Sequence, residues 1–465
     1  MMDLERLVAA LGAVEVVDRA PVEVRDLAYD ARAVTPGALF FCVPGARADG
    51  HDFAAEAVER GAVALVVERT LKLPVPQVVV PDARTAMAVA ADAFFERPTQ
   101  ELEVAGVTGT SGKTTTAFLL FAILAAAGRR PGLLGTVEAR VGGERRGVAR
   151  TTPEAIDLQR LFREMLDAGD RSCAIEASSH ASQLHRLDRV RFASLVFTNL
   201  SQDHLDFHGD MESYFQAKRR LFLEGGPPAA VNVGDEYGRR LAAELPDALT
   251  FGFAEDAELG PGTLDGIDLK LRGRFNVENA LGAFAAGRLL GVDDAAIARG
   301  IESVRGVPGR FEAVDEGQAF TVIVDYAHKP GALENVLRAA RDLARGGRLI
   351  CVVGAGGDRD RGKRPLMGRL ASELADVAIV TSDNPRSEEP QAIIDEIVAG
   401  IAGEIEIEPD RAAAIARAVE LARDGDVVLI AGKGAEQGQQ FADRTIPFDD
   451  REAARDALRT FGARA

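Results

Sequence analysis

Basic residues are in deficit: 55 lysines and arginines face 72 aspartates and glutamates, a formal charge of −17 over 465 residues. That balance excludes duplex nucleic acid and anionic membrane surfaces as partners, since both need clustered cations to neutralise phosphates. It leaves room for an anionic small molecule, because a positive pocket can sit inside an acidic protein. Cysteine is nearly missing. The three present, Cys42, Cys173 and Cys351, are scattered, which excludes a disulfide framework and C-x-x-C metal spacing and fits a reducing compartment. No apolar run is long enough for a bilayer: Ala117 to Ala127 is about half a span. The opening Met1-Met2-Asp3-Leu4-Glu5 lacks the basic start and apolar core of a secretion signal. A cytoplasmic protein without membrane insertion is expected.

What is present is ordinary globular material, 47% hydrophobic and 27% charged. At roughly 150 residues per domain the length predicts about three domains. Continuous β-branched runs alternate with helical stretches: Ala38 to Val43, Val63 to Val67 and Val78 to Val80 in a first segment, 1–98. A second, 99–306, holds Glu103 to Val107, Cys173 to Ile175, Ser194 to Thr198 and Ala230 to Val233. A third, 307–465, holds Thr321 to Val324, Ile350 to Val353, Ala378 to Val380 and Val427 to Ile430. Such runs between amphipathic helices predict an α/β fold with parallel sheets covered on both faces. Arg97-Pro98-Thr99 reads as a linker, and the Gly/Asp-rich stretch 258–273 has no clear assignment.

Three groups of residues point to chemistry. Gly106 to Thr115 follows a strand and opens a helix, the setting of a phosphate loop whose backbone N–H groups wrap phosphates at the positive end of a helix dipole. Lys113 would neutralise β/γ-phosphate oxygens and the Thr114 hydroxyl would ligate Mg²⁺, so ATP or GTP binding is expected. The glycines stand at 106 and 109, whereas the standard spacing places one at Val107. Glu176 to His180 and Asn199 to Asp206 follow later strands, with Lys218 in a helix beyond. Strand C-termini of a parallel sheet converge on one crevice, so Glu176 and His204 can both reach metal ions on phosphates. Taken singly, Glu176 suits a ligand and a structural hydrogen bonder equally, His204 reads as a satisfied histidine, and Lys218 as a solvated helix face. The third group, Gly354 to Arg364, Asp383-Asn384-Pro385-Arg386 and Gly432 to Glu436, lies at strand ends of the last segment. Arginines there suit bidentate recognition of a carboxylate, though any one loop alone reads as exposed turn chemistry.

Together these residues resemble the Mur ligase family, ATP-dependent amide-forming enzymes of peptidoglycan synthesis. The matching stretches include Asp49-Gly50-His51, Gly109 to Thr115, Thr151-Thr152-Pro153, Glu176 to His180, Asn199 to His208, Gly273 to Val277, Gly309 to Glu312, Asp325 to His328, Gly357 to Asp360 and Asp383 to Arg386. The resemblance implies a small N-terminal α/β domain for the uridine nucleotide, with Ala31 beside the uracil where serine is common. It implies a central P-loop ATPase-type sheet for ATP and a C-terminal Rossmann-like domain for an amino acid. Thr151, Thr152, Ser178 and Arg186 would hold a UDP-MurNAc-L-Ala-D-Glu substrate. Gly109, Thr110, Ser111, Gly112, Lys113, Thr114, Thr115, Asn276, Asn279, Arg310, Asp325 and His328 would hold ATP. Thr114, Glu176, His204 and Lys218 would ligate Mg²⁺, with Lys218 converted by CO₂ to a carbamate (N6-carboxylysine). Lys113, Glu176, His204 and Lys218 form the implied catalytic set.

Arg359, Asp383, Asn384, Pro385, Arg386, Gly432 and Glu436 match a diaminopimelate site. Asp-Asn-Pro-Arg is the form associated with diaminopimelate, whose distal carboxylate Arg386 and Arg359 can clamp. An arginine left unpaired in a dry pocket would penalise lysine. The family's reaction is then expected to add meso-diaminopimelate through an acyl phosphate, in a monomeric enzyme. A lysine-adding ligase of the same family, a folylpolyglutamate-synthetase-like enzyme and a non-ligase phosphate-loop ATPase stand as alternatives. Ser111 for the common Asn, Ala435 for the common His, Leu184 for Gln and a stretch 251–273 shorter by roughly thirty residues against a typical domain size are departures from the family pattern.

Overall fold

The protein is described here as a computed structural model over residues 1–12, 15–45, 48–344 and 346–462. Three open sheets organise it. The first has five strands in the order Glu15–Val17, Gln77–Val79, Ala62–Val67, Ala38–Phe41 and Asp26–Ala28, parallel except for the first pair. The second has eight, with Glu103–Thr108 between Ser172–Glu176 and Phe192–Phe197 at its centre. The third has six, and its Val427–Ala431 lies between Thr321–Asp325 and Leu349–Val353. The strands expected from β-branched runs are the interior, parallel ones in all three sheets. The structure adds antiparallel edges that the sequence did not suggest: the hairpin Ala139–Val141 with Glu144–Arg146, and Glu312–Val314 against Thr321–Asp325. The added strands are each three residues long, too short to carry an apolar run to read.

Each large sheet is covered on both faces. On one side of the central sheet the apolar cluster draws on helices Lys113–Ala126, Arg274–Leu289 and Asp294–Ser303; on the other it draws on Ala155–Asp167 and Met211–Leu223. Aspartates start many helices: Asp82, Asp210, Asp235, Asp293 and Asp410 each accept the N–H three residues on, which satisfies a donor that the helix leaves free. Part of the acidic surplus therefore serves as caps. The stretch Arg97 to Thr99 is packed: Pro98 opens a 3₁₀ turn, and the buried Thr99 Oγ1 accepts Arg191 N at 3.1 Å. Within 258–273, Pro261–Leu264 forms another such turn. Among the described residues, no helix is long and apolar enough to cross a membrane.

Helix Lys113–Ala126 is apolar on nearly all sides because it is sandwiched between the sheet and two helices. One of those crosses it at Gly300, where an added Cβ would lie 2.5 Å from Ile123 Cα and 2.7 Å from its nitrogen. Backbone cannot yield there as a side-chain tip can. Gly300→Val should therefore cost about 1–3 kcal/mol through overpacking and lower the melting temperature by several degrees. Gly147→Ala, at a position with nothing within 4 Å, is the control and should melt like wild type. Equal melting temperatures for both variants would refute the close crossing.

Candidate functional site

The loop between strand Glu103–Thr108 and helix Lys113–Ala126 is shaped by its neighbours rather than by its own hydrogen bonds. Asn199 accepts the amides of Thr110 (on its carbonyl) and Ser111 (on Oδ1), both at 2.9 Å, and Thr198 Oγ1 donates to Ser111 O at 2.6 Å. Gly109, at φ +148°, admits no side chain, since a Cβ would meet Thr198 Oγ1 at 1.9 Å. Gly112, at φ +86°, leaves room for Asn279 Oδ1, which a Cβ would approach to 2.2 Å. Gly106 has another role: it lies in the strand beneath the rings of Phe192 and Leu195's side chain. The glycine spacing that departs from the standard pattern thus has a packing cause.

The loop opens on a cavity of about 450 Å³. Its far wall is built around Glu176, 1% exposed at the end of its strand. That carboxylate accepts Thr136 N at 2.7 Å, Thr136 Oγ1 at 3.0 Å and Thr114 Oγ1 at 3.1 Å. Thr152 Oγ1 donates to Glu176 O at 2.7 Å and receives Ser178 N at 3.2 Å. Arg186 pairs with Glu154 at 2.8 Å, and Arg150 and Arg84 flank the same buried carboxylate. Thr151, Thr152, Ser178, Arg186 and Arg150 all line the cavity.

Cations dominate the near wall. Lys113 Nζ folds back onto Gly109 O at 2.9 Å and Thr110 O at 3.0 Å; burial and the Lys329 and Arg310 charges bring it down to about 8. Lys218, 1% exposed, also donates to Gly109 O at 2.9 Å and lies 4.8 Å from the Tyr214 ring centre. Burial, Lys113 and Lys329 lower its pKa far below that of an ordinary lysine. His204, in the left-handed region at φ +52°, turns Nε2 to Asp203 Oδ2 at 2.8 Å, and Lys329 Nζ donates to the same oxygen. His180 stacks on Phe207 and meets the edge of His204, and burial holds it near 4.

From the last sheet, Arg310 donates to Thr114 Oγ1 at 3.3 Å and lies 4.3 Å over the Tyr326 ring. Asp325 accepts Phe311 N and Ala327 N, both at 2.7 Å, and burial pushes it up to about 6. Burial and two nearby lysines keep His328 neutral. Asn279 lines the cavity, held by Asn276 Oδ1 at 3.0 Å.

Two groups of expected residues lie elsewhere. Ala31 is buried on a 3₁₀ turn of the first sheet's unit and does not line the cavity. Arg359, Asp383, Asn384, Pro385, Arg386, Gly432 and Glu436 gather instead at strand ends of the third sheet. There Asn384 Nδ2 donates to Glu436 at 2.8 Å, Lys433 Nζ donates to Asn384 Oδ1 at 2.9 Å, and Arg386 donates to Gly357 O at 2.6 Å. Burial and the Arg359 charge lower Arg386, while Asp383 and Glu436 counter them. Gly432, at φ +128°, leaves space for Asp383, whose Oδ2 a Cβ would meet at 2.5 Å. Sequence reasoning missed Thr136, Arg150, Tyr214, Tyr326 and Lys329 on the cavity wall. Lys329 directly follows the Asp325 to His328 motif, and Tyr214 lies one helical turn before Lys218; those positions were the available signals.

The donor chemistry fits Mg²⁺: Thr114 and Glu176 present hard oxygens side by side at the phosphate loop. Among the described residues there is no group of three or more His, Cys, Asp and Glu that could hold a metal. The expected set contains only two such side chains, Glu176 and His204, beside a hydroxyl and a lysine.

Comparison with known proteins agrees with this arrangement. Residues 23–120 match the description "Mur ligase family, catalytic domain", 107–287 "Mur ligase middle domain" and 309–434 "Mur ligase, glutamate ligase domain". A UDP-N-acetylmuramoyl-L-alanyl-D-glutamate--2,6-diaminopimelate ligase of Solibacter usitatus is 47% identical over 95% of this chain and 95% of its own. A solved structure carrying the same enzyme name superposes with a TM-score of 0.66 at 30% identity, covering 97% of this chain and 98% of that one. The chain belongs to the Mur ligase family of amide-bond-forming ligases. A Mycobacterium tuberculosis folylpolyglutamate synthase complexed with ADP and AMPPCP shares the fold alone, with a TM-score of 0.60 at 17% identity over 81% of this chain and 95% of its own.

The loop geometry generates a direct test. Gly109→Ala forces a methyl group onto Thr198 Oγ1 in a backbone region that alanine avoids, a strain of about 1–3 kcal/mol if the loop keeps its shape. ATP affinity measured by calorimetry should fall at least about tenfold. Unchanged affinity would mean that the loop is not held by the Thr198–Asn199 strand end.

Proposed function

We propose that the chain is an ATP-dependent ligase joining meso-2,6-diaminopimelate to UDP-MurNAc-L-Ala-D-Glu, working as a cytoplasmic monomer in peptidoglycan synthesis. One observation carries the reading: a phosphate-loop cavity and an arginine-bearing loop cluster, on separate sheets, meet through Arg310 and Tyr326. The names of the relatives agree with it. In this reading 1–98 serves the uridine nucleotide near Ala31, 99–306 serves ATP, and 307–465 serves the amino acid.

The chemistry follows from the charges. The γ-phosphoryl group of ATP passes to the D-glutamyl side-chain carboxylate, giving an acyl phosphate. The diaminopimelate amine attacks that carbonyl carbon and loses a proton, and the tetrahedral species expels phosphate. Lys113 and Arg310 neutralise oxygens during phosphoryl transfer, while Thr151, Thr152, Ser178 and Arg186 hold the muramoyl peptide in line. Thr114, Glu176, His204 and Lys218 would hold Mg²⁺, which when bound adds positive charge against the phosphate oxygens. Arg359 and Arg386 would take the distal carboxylate, and Glu436 its ammonium group.

Lys218 can join a cation site only by losing its own charge. Its burial beside Lys113 and Lys329 favours the neutral amine, whose lone pair can bond to the carbon of CO₂. Release of one N–H proton then leaves an anionic carbamate. Lys218→Ala should lower turnover by at least about a hundredfold, the scale of losing a key electrostatic group. Short carboxylates should restore part of it. Intact-mass evidence of an unmodified lysine in fully active enzyme would sink the carbamate.

Specificity gives the decisive assay. Phosphate release from ATP, measured with the nucleotide dipeptide plus each amino acid, should be rapid with meso-diaminopimelate and slow with L-lysine. Arg386→Ala removes a charge-assisted pair worth on the order of 2–5 kcal/mol, so kcat/KM for meso-diaminopimelate should fall by about thirty-fold to several thousand-fold. Equal use of L-lysine by the wild type would hand the reading to a lysine-adding ligase.

A further inference from the structure

We infer that Arg364, which no motif reading singled out, is the positioning residue that holds the two arginine loops of the amino-acid site together. The inference rests on the diaminopimelate reading above and deepens it. Arg364 lies on helix Lys363–Leu374 and is fully buried, at 0% exposure. Its guanidinium grips Glu388 with two hydrogen bonds, at 2.8 and 2.9 Å, and reaches Glu396 at 2.8 Å and Gly356 O at 3.1 Å. Glu388 in turn accepts Asp358 N at 2.6 Å. One buried fork therefore ties the loop carrying Arg359 to the segment two residues beyond Arg386.

The loops need such a tie. Asp358 and Arg386 both occupy the left-handed region, each at φ +53°. Their backbones interlock as well: Gly357 N donates to Asn384 O at 2.9 Å, and a Cβ on Gly357 would strike Pro385 O at 1.8 Å. Arg359 is exposed and, among the described residues, its side chain hydrogen-bonds only Asp358 O, at 3.0 Å, so its aim follows the loop. The Arg359 charge acts on Arg386 against Asp383, Glu436 and Asp358, so where the two guanidinium groups meet depends on the loop backbone that the Arg364–Glu388 fork ties. The fork touches no atom that would meet substrate. It sets where the two guanidinium groups converge.

The test compares wild type, Arg364→Met and Arg364→Lys in steady state. Readouts are KM for meso-diaminopimelate and for ATP, and the kcat/KM ratio of meso-diaminopimelate to L-lysine. Arg364→Met should raise the amino-acid KM at least about tenfold, leave the ATP KM within about twofold and lower the ratio. Arg364→Lys keeps a charge without the fork and should recover part of the loss. A purely structural role predicts a lower melting temperature and active fraction with KM and ratio unchanged, and that result overturns the inference. If Arg364→Met fails to fold, Glu388→Gln, which leaves Arg364 paired with Glu396, must show the same KM shift or the inference falls. If the wild type prefers another amino acid, the diaminopimelate reading fails first. The same KM comparison with the preferred amino acid then decides the fork separately.

Discussion

One carbonyl oxygen receives two lysine side chains. Gly109 O accepts Lys113 Nζ and Lys218 Nζ, each at 2.9 Å, and neither lysine has a carboxylate within salt-bridge distance among the described residues. Two like charges converging on a neutral acceptor repel by on the order of a few kcal/mol even at intermediate dielectric. Lys329 and Arg310 add to that field, and Glu176 and Asp203 answer only part of it. Such a surplus is stable in a protein only if an anion offsets it or a proton leaves. In the proposed reading the two lysines take the two routes: Lys113 would meet phosphate, and Lys218 is driven toward the neutral amine. The left-handed glycines, the Thr198–Asn199 brace and the sandwiched helix all serve to bring these two nitrogens to one point.

The same constraint reconciles an acidic chain with an anionic substrate. With a charge of −17, the protein repels nucleotides at long range, so recognition has to be local. Three cations that line the cavity, Lys113, Lys218 and Arg310, form no salt bridge among the described residues. Elsewhere arginines are paired on the exterior, as Arg219 is with Glu244 and Arg240 with Glu212. Net charge therefore informs about partners of large area and says little about a pocket of a few side chains.

Legibility in the sequence followed the range of each interaction. Interior strands were readable because burial on both faces demands an unbroken apolar run, as in Leu349–Val353 and Val427–Ala431. The edge hairpin at 139–146 was not, since Arg140, Arg145 and Arg146 carry no such pattern. The phosphate loop was legible because its contacts with phosphate need a fixed local order. Lys218 read alone as a solvated cation, and only the folded chain, which brings Gly109 to it across more than a hundred positions, buries it. Lys329 and Asp203 are 126 residues apart, and no spacing rule links them. Arg364 was hidden for a related reason: an arginine in a charged loop reads as exposed, and its two glutamates follow 24 and 32 residues later.

What joins the two halves of the site is a short chain of contacts through Arg310. Its guanidinium touches Thr114 on the phosphate loop and lies on Tyr326, whose hydroxyl is pushed up to about 12 by burial and the nearby Glu436. The backbone preceding it is pressed against the loop that bears Glu436: a Cβ on Gly309 would lie 2.1 Å from Ala435 N. In the proposed reading, where Glu436 takes the ammonium group, the loop that meets the amino acid is therefore packed against the backbone that carries Arg310. Any coupling through this contact is reciprocal in free energy, so in the proposed reading it would act on amino-acid capture and on the Arg310 position alike. The contacts thus run from the phosphate loop at Thr114 through Arg310 and Tyr326 to the Glu436 loop at a strand end of the third sheet.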